Sequence, residues 1–336
     1  MIKVDADLIG VQNVSCLLLK TKFVSMRMEY AICVKGIIIV NIWPKKSSKK
    51  LGIGQLVKDI EKRKNVNRNR NDCVVSLSGG KDSLGILHIA KNVLHLNPVA
   101  VFIDNGFIPE QLFKNAFNAA DAMGVELQIV KDDDFAKVFR KILLTKKPFY
   151  YCRICHAMID RHVRETARKN DLRLILGGFT KGQNYLRMRE LYGIFKDTDR
   201  VTIEEMAGEY DYIKEMFPNL AVYFHRKYKE IASISPFWYI KWSEDELIDF
   251  LAEHYGFSIP TKSWPDRSSN CLFNYVAQYM AEKKFGYSQH EVELSTLIRN
   301  GEITRERAIE ILNTPITVEQ LDEVLSMVDL TLEDIL

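Results

Sequence analysis

A strand-like apolar run, Cys73-Val74-Val75-Ser76-Leu77, passes directly into Ser78-Gly79-Gly80-Lys81-Asp82-Ser83 and then into a helical pattern through His95. No other feature restricts the fold as much. A strand, a glycine turn and a helix start in that order gather backbone N–H groups and the positive end of a helix dipole around one point, which suits phosphate. The turn is not the nucleotide loop that ends in Gly-Lys-Ser/Thr, because Asp82 follows Lys81 where that loop has a hydroxyl. A serine- and glycine-rich helix cap is the plain structural alternative.

From Asp72 onward, apolar runs alternate with amphipathic stretches. Strands are expected at Cys73–Leu77, Val99–Asp104, Glu126–Val130 and Leu172–Leu176, and helices at Ser83–Leu96, Pro109–Met123, Asp134–Leu144 and His156–Asn170. The pattern predicts an α/β fold, a doubly wound parallel sheet covered on both faces. Ligands of such sheets lie beyond the carboxyl ends of the strands. Ser78, Asp104-Asn105-Gly106 and Gly177-Gly178 fall there, so they are expected to share one crevice.

Residues 1–44 read as short strands without an assignable job, and Pro44 to Lys50 as a lysine- and serine-rich linker before a helix from about Ile53 to Lys64. After Pro236 come a helix at Glu244–Tyr255, a loop from Ser258 to Asn270, and a helical C-terminal extension with helices opened by Thr304 and Thr317. That extension reads as a packing or assembly appendage. The expected divisions are an N-terminal segment 1–50, a nucleotide-binding domain 51–260 and a helical region 261–336.

With 336 residues, 47% of them hydrophobic, the chain can bury a full core. No stretch approaches the roughly 20 apolar residues of a membrane span, and no secretory signal is evident. Six cysteines are then expected as reduced thiols in a cytoplasmic protein. A net charge of +3 does not by itself point to nucleic acid. The basic run at 45–70 reads as a solvated face. Arg153, Arg161, Arg164, Arg168, Lys169, Arg187 and Arg189, near the cysteines, could steer a polyanion or a nucleotide-sugar.

The hexapeptide Ser78–Ser83 resembles the PP-loop of the N-type ATP pyrophosphatases, or adenine nucleotide alpha hydrolases, whose signature is Ser-Gly-Gly-x-Asp-Ser at the end of the first strand. The resemblance implies cleavage of ATP between its α and β phosphates, with AMP transferred to an acceptor. It implies that Ser78, Gly79, Gly80 and Ser83 hold the diphosphate, that Lys81 offsets its charge and that Asp82 positions Mg2+. Asp104 is the other carboxylate available for the ion. Val101 to Asp104, with Phe102, would line the adenine, and Gly177 and Gly178 would complete the crevice.

Cys152-Arg153-Ile154-Cys155 and the distant Cys271 allow four readings from the residues alone: a haem-attachment motif with His156, a redox pair, structural Zn2+, or unpaired thiols. A fifth comes from position. In the PP-loop enzymes that thiolate tRNA with an iron–sulfur cluster, a Cys-x-x-Cys opens the helix before the fourth strand and a third cysteine follows an acidic helix. That resemblance implies a [4Fe–4S] cluster on Cys152, Cys155 and Cys271 with one iron open for sulfur, Zn2+ being the alternative. The catalytic set would then be Lys81, Asp82, Cys152, Cys155 and Cys271.

Phe285-Gly286-Tyr287 through Ser295, Ile298-Arg299 and Ile303-Thr304-Arg305-Glu306 are instead similar to the N-acetyl sugar amidotransferases of surface-polysaccharide pathways. This resemblance implies ammonia from a partner glutaminase and a nucleotide-sugar acceptor, where the first implies tRNA and a sulfur donor. The paired acids that thiolating relatives carry after the fourth strand are absent from Gly177-Gly178-Phe179-Thr180-Lys181-Gly182-Gln183. No membrane partner is expected, and a homodimer is one allowed assembly.

Overall fold

The structure, a computed structural model, describes residues 52–64, 71–147, 149–178, 210–216, 220–240, 243–265, 268–286, 288, 290–299, 301 and 303–336, with the backbone of two short strands at 32–34 and 37–39. Those two, β1 (Ile32–Val34) and β2 (Ile37–Ile39), form an antiparallel pair. The rest of the N-terminal segment, the linker at 44–50, Arg187 and Arg189 lie outside the described residues.

Five strands make one parallel sheet: β3 (Cys73–Leu77), β4 (Pro98–Asp104), β5 (Glu126–Lys131), β6 (Leu174–Leu176) and β7 (Ala232–Ile234), in the order β5-β4-β3-β6-β7. The chain runs outward from β3 through β4 to β5, then returns to lay β6 on the other flank of β3. The winding reverses between β3 and β6. Connections leaving their carboxyl ends diverge there and open a crevice.

Alternation along the strands sorts their side chains onto two faces. Val74, Val99, Val101, Ile103 and Ile175 enter one core, while Cys73, Val75, Leu77, Ala100, Phe102, Leu174 and Leu176 enter the other. The second core is closed by α1 (Ile53–Glu61), α2 (Lys81–His88), α3 (Glu110–Ala122) and α8 (Glu244–Tyr255), through residues such as Leu56, Leu84, Ala116 and Leu251. The first is closed by α4 (Asp134–Leu144) and α5 (Tyr151–Lys169), and further by α6 (Asp211–Met216) and α7 (Leu220–Lys227). Among the described residues, no helix is long and apolar enough to cross a membrane.

The helical extension comprises α9 (Asn274–Phe285), α10 (His290–Arg299), α11 (Arg305–Leu312), α12 (Val318–Ser326) and α13 (Leu332–Ile335). Val276 and Met280 of α9, Leu321, Val324 and Leu325 of α12 and Ile335 of α13 share the core that contains Val74 and Val99. Thr317 opens α12 with a reciprocal cap: its hydroxyl accepts from the Gln320 amide at 3.3 Å, and the Gln320 side chain accepts from the Thr317 amide at 2.9 Å. Thr317→Ala removes one acceptor from that turn, so denaturant unfolding should show a loss of about 1 kcal/mol.

Three local features differ from expectation. Helix α5 begins at Tyr151 rather than His156, so both cysteines of the pair lie inside it. The helix after the glycine turn widens into a π turn at Ile89–Val93, where His88 and Asn92 both bind the Tyr255 hydroxyl, at 2.6 and 3.1 Å. Strand β7 is a further difference: three residues are too short to show alternation, and pairing with β6 alone defines it.

Candidate functional site

The turn after β3 is braced from within. The Ser83 hydroxyl donates to the Gly80 carbonyl at 2.9 Å and accepts from the Ser78 amide at 3.0 Å and the Ser78 hydroxyl at 3.1 Å. Both hydroxyl hydrogens are therefore directed inside the turn, and the two serines shape the anion cradle in this state. Helix α2 starts at N-cap Gly80 with no side-chain cap, leaving to its first amides the role of anion donors.

Gly79 has φ of +74°, and a Cβ there would sit 1.9 Å from the Leu112 carbonyl oxygen. Only glycine fits. Asn115 of α3, fully buried, holds this approach: its Nδ2 donates to the Gly79 carbonyl at 3.2 Å and to the Ser258 carbonyl at 2.8 Å. Across the crevice, a Cβ on Gly178 would come within 3.0 Å of the Ser83 nitrogen. The glycine after β6 thus packs on the start of α2, as the reversal in winding requires.

Lys81 Nζ lies 3.3 Å from Asp82 Oδ2 and 3.3 Å from Glu244 Oε1 at the start of α8. Burial alone would lower the Lys81 ammonium, but the two carboxylates outweigh it and the net shift is upward. Burial also raises the Asp82 carboxyl, against the pull of Lys81, with Glu244 and Glu293 adding to the rise. Asp82 Oδ1 is buried without a hydrogen-bond partner. An uncompensated carboxylate oxygen of this kind beside a lysine fits Mg2+; Asp82 would hold the ion, which would supply positive charge there and lower the Asp82 pKa. Asp104 is committed differently: its Oδ1 accepts from the Gly106 amide at 2.9 Å and caps the turn after β4.

The segments that carry the three cysteines are drawn together beyond the carboxyl end of β4, and aromatic packing is the cause. Phe273, two residues after Cys271, lies 5.0 Å from Phe107, 4.2 Å from Phe139 and 5.4 Å from Tyr151, centroid to centroid. Phe107 follows the β4 turn and Tyr151 precedes Cys152, so one cluster draws three segments together. The Leu272 amide donates to the Phe107 carbonyl at 2.8 Å and completes the join. Cys155 lies 3.7 Å from Asn105 Nδ2, and Cys152 lies 3.9 Å from Asn274 Oδ1. Burial pushes the Cys155 thiol well up, with Cys271 and then Cys152 adding to the rise; burial likewise raises Cys271.

The donor chemistry is that of a thiolate-bound group, but among the described residues no three His, Cys, Asp or Glu side chains are gathered to hold one metal ion. Zinc held by all three cysteines finds no support in this arrangement. A cluster spreads its ligands over several irons and tolerates wider separation, so the three thiols remain compatible with [4Fe–4S] chemistry.

Several arginines expected to face a polyanion are engaged within the fold. Arg164 is buried, donating to Asp160 at 3.1 Å and to the Ile231 carbonyl at 3.2 Å, with its guanidinium over Phe224. Arg168 binds Glu230 and the Lys227 carbonyl and lies over Tyr228, and Arg161 lies over Tyr212. These contacts fasten α6 and α7 to α5. The extension, by contrast, does more than pack: Ser269 Cβ would lie 2.9 Å from a Cβ on Gly80. Asn105, Asn115, Glu244, Ser269 and Asn274 had no assigned role from sequence. Of these only Asn105 was placed in the crevice beforehand, by its position past a strand end.

Residues 269–335 match the family model described as the C-terminal domain of WbpG-like LPS biosynthesis proteins. An uncharacterized protein of Methanocaldococcus jannaschii is 22% identical over 304 residues, which cover 90% of this chain and 93% of that one. The NH3-dependent NAD+ synthetase of Archaeoglobus fulgidus is 29% identical over 136 residues, 35% of this chain and 54% of the synthetase. Among solved structures, the U34-tRNA thiolase NcsA of Methanococcus maripaludis, with its [4Fe–4S] cluster, aligns at a TM-score of 0.37 and 17% identity, covering 77% of this chain and 78% of that chain.

Proposed function

We propose that this chain, which resembles the PP-loop ATP pyrophosphatases in its turn, its sheet and its relatives, adenylates the carbonyl oxygen of an N-acyl sugar and then transfers ammonia to the activated carbon. The observation that carries the choice of nitrogen is the contact of Ser269 with Gly80. The segment similar to WbpG-like proteins begins at that residue, so the similarity reaches a wall of the phosphate crevice. The partial match to an NH3-dependent synthetase points the same way.

In the first half-reaction the acceptor oxygen bonds to the α-phosphorus and pyrophosphate leaves. The amides at the start of α2 receive the departing diphosphate, Lys81 exchanges its carboxylate partners for phosphate oxygens, and Asp82 would hold the Mg2+ that neutralises the rest. Ammonia then attacks the carbon, AMP departs with the oxygen, and a proton is released. In the folded state Glu244 already competes for Lys81, so nucleotide binding must displace that contact.

A second reading is sulfur transfer to a tRNA base with a [4Fe–4S] cluster on Cys152, Cys155 and Cys271. The nearness of Cys155 to Asn105, just past the end of β4, supports it. The two readings separate in one experiment. Anaerobically purified protein is incubated with ATP, Mg2+ and either ammonium or sulfide, against N-acetylated nucleotide-sugars and unmodified tRNA, with AMP, pyrophosphate and product mass measured. Ammonium-dependent AMP release and replacement of an acceptor oxygen by nitrogen are expected. Sulfide-dependent thiolation of RNA with stoichiometric iron would favour the second reading, and no AMP under any condition would end both.

A further inference from the structure

We propose that Ser269, carried by the segment that leads into the helical extension, is a phosphate-binding residue whose hydroxyl donates to the departing diphosphate. The inference rests on reading the turn after β3 as a diphosphate cradle and adds to it a donor from outside that turn.

The polar hydrogens that the turn might offer are largely used within it. The Ser83 hydroxyl donates to the Gly80 carbonyl at 2.9 Å, the Ser78 hydroxyl donates to Ser83 Oγ at 3.1 Å, and the Gly80 amide is directed at Ser78 Oγ at 3.4 Å. The first amides of α2 and the Lys81 ammonium remain, and the ammonium is shared between Asp82 and Glu244. A hydroxyl hydrogen for the anion must therefore come from another segment.

Ser269 stands where such a donor is needed. Gly80 has φ of −81° and ψ of 158°, a conformation open to any residue, so the backbone does not demand glycine there. Space does: a Cβ on Gly80 would meet Ser269 Cβ at 2.9 Å and Ser269 Oγ at 3.3 Å. The missing side chain admits the serine to the N-cap of α2. Ser269 is half-buried, and its hydroxyl makes no hydrogen bond among the described residues. Its flanks are fixed, because the Ser268 amide donates to the Pro265 carbonyl at 3.1 Å, Asn270 Nδ2 to the Trp264 carbonyl at 2.9 Å and the Leu272 amide to the Phe107 carbonyl at 2.8 Å. A hydroxyl held on so fixed a segment loses little freedom when an anion accepts from it. The neighbouring Ser268 is different, since its hydroxyl oxygen is buried out of reach of a ligand.

The test titrates the full chain calorimetrically with inorganic pyrophosphate and, separately, with AMP, each in the presence of Mg2+. Ser269→Ala keeps the Cβ beside Gly80 and removes only the hydroxyl. It should weaken pyrophosphate binding about tenfold while AMP binding stays within about twofold, as expected for one hydrogen bond to a charged group. The denaturant midpoint of the ligand-free chain should not move. Ser268→Ala, one residue away, should leave pyrophosphate binding within about twofold, because no ligand contact is lost. Equal weakening by the two variants would mean that the segment had been disturbed, and would overturn the proposal. Unchanged pyrophosphate binding in Ser269→Ala would overturn it and leave the cradle reading standing; no pyrophosphate binding by the unsubstituted chain would overturn both.

Discussion

Lys81→Met is expected to slow acceptor-dependent pyrophosphate release by about 10²- to 10³-fold, the range seen when one donor aimed at developing charge is removed. Methionine keeps the length and the apolar stem, so the change is confined to the ammonium. In the folded state that ammonium joins Asp82 to Glu244 across the mouth of the turn, 3.3 Å from each. Once a diphosphate begins to leave, it becomes the cation nearest the anion cradle supplied by the side chains named here. The loss should fall on kcat, because the growing charge is larger in the transition state than in bound ATP. Steady-state kinetics with pyrophosphate detection would show it. If kcat held while only KM rose, Lys81 would serve ground-state binding and the mechanism given for the first half-reaction would be wrong.

The largest stability effect is expected at Trp264. Its ring is fully buried, its Nε1 donates to the Thr314 carbonyl at 3.0 Å, and it lies 5.2 Å from the His290 ring. Its own carbonyl receives both Asn270 and Asn274, at 2.9 and 2.7 Å. Trp264→Ala opens a cavity and strands the Thr314 carbonyl, so denaturant unfolding should lose about 3–5 kcal/mol. Trp264→Phe keeps most of the volume and should lose markedly less. A small effect of the alanine variant would mean that the extension folds without this anchor.

The parts of the site that are contiguous in the chain were readable in advance, and the parts made by packing were not. Ser78 to Ser83 and the strands beside them carry their own periodicity and turn chemistry, and the sheet follows from them. Even there, the direction of the Ser78 and Ser83 hydroxyls depends on a mutual hydrogen bond that composition cannot show. The approach of Cys271 to Cys155 depends on Phe107, Tyr151 and Phe273 meeting in one cluster, and isolated aromatics in three segments give no periodic signal. A sequence does not reveal that Tyr212 of α6, Phe224 of α7 and Tyr228 just after it lie beneath the arginines of α5 and withdraw them from a polyanion.

One core is completed by residues translated long after the helices they pack on: α9 lies against α5 and α13 against α4. Leu321, Val324, Leu325 and Ile335 share a core with Val74 and Val99. On the ribosome the outer sides of α4 and α5 must wait uncovered while the remaining helices are made, a state prone to clumping. Slow elongation or a shortage of chaperones should therefore lower the yield of this protein more than its final stability would suggest.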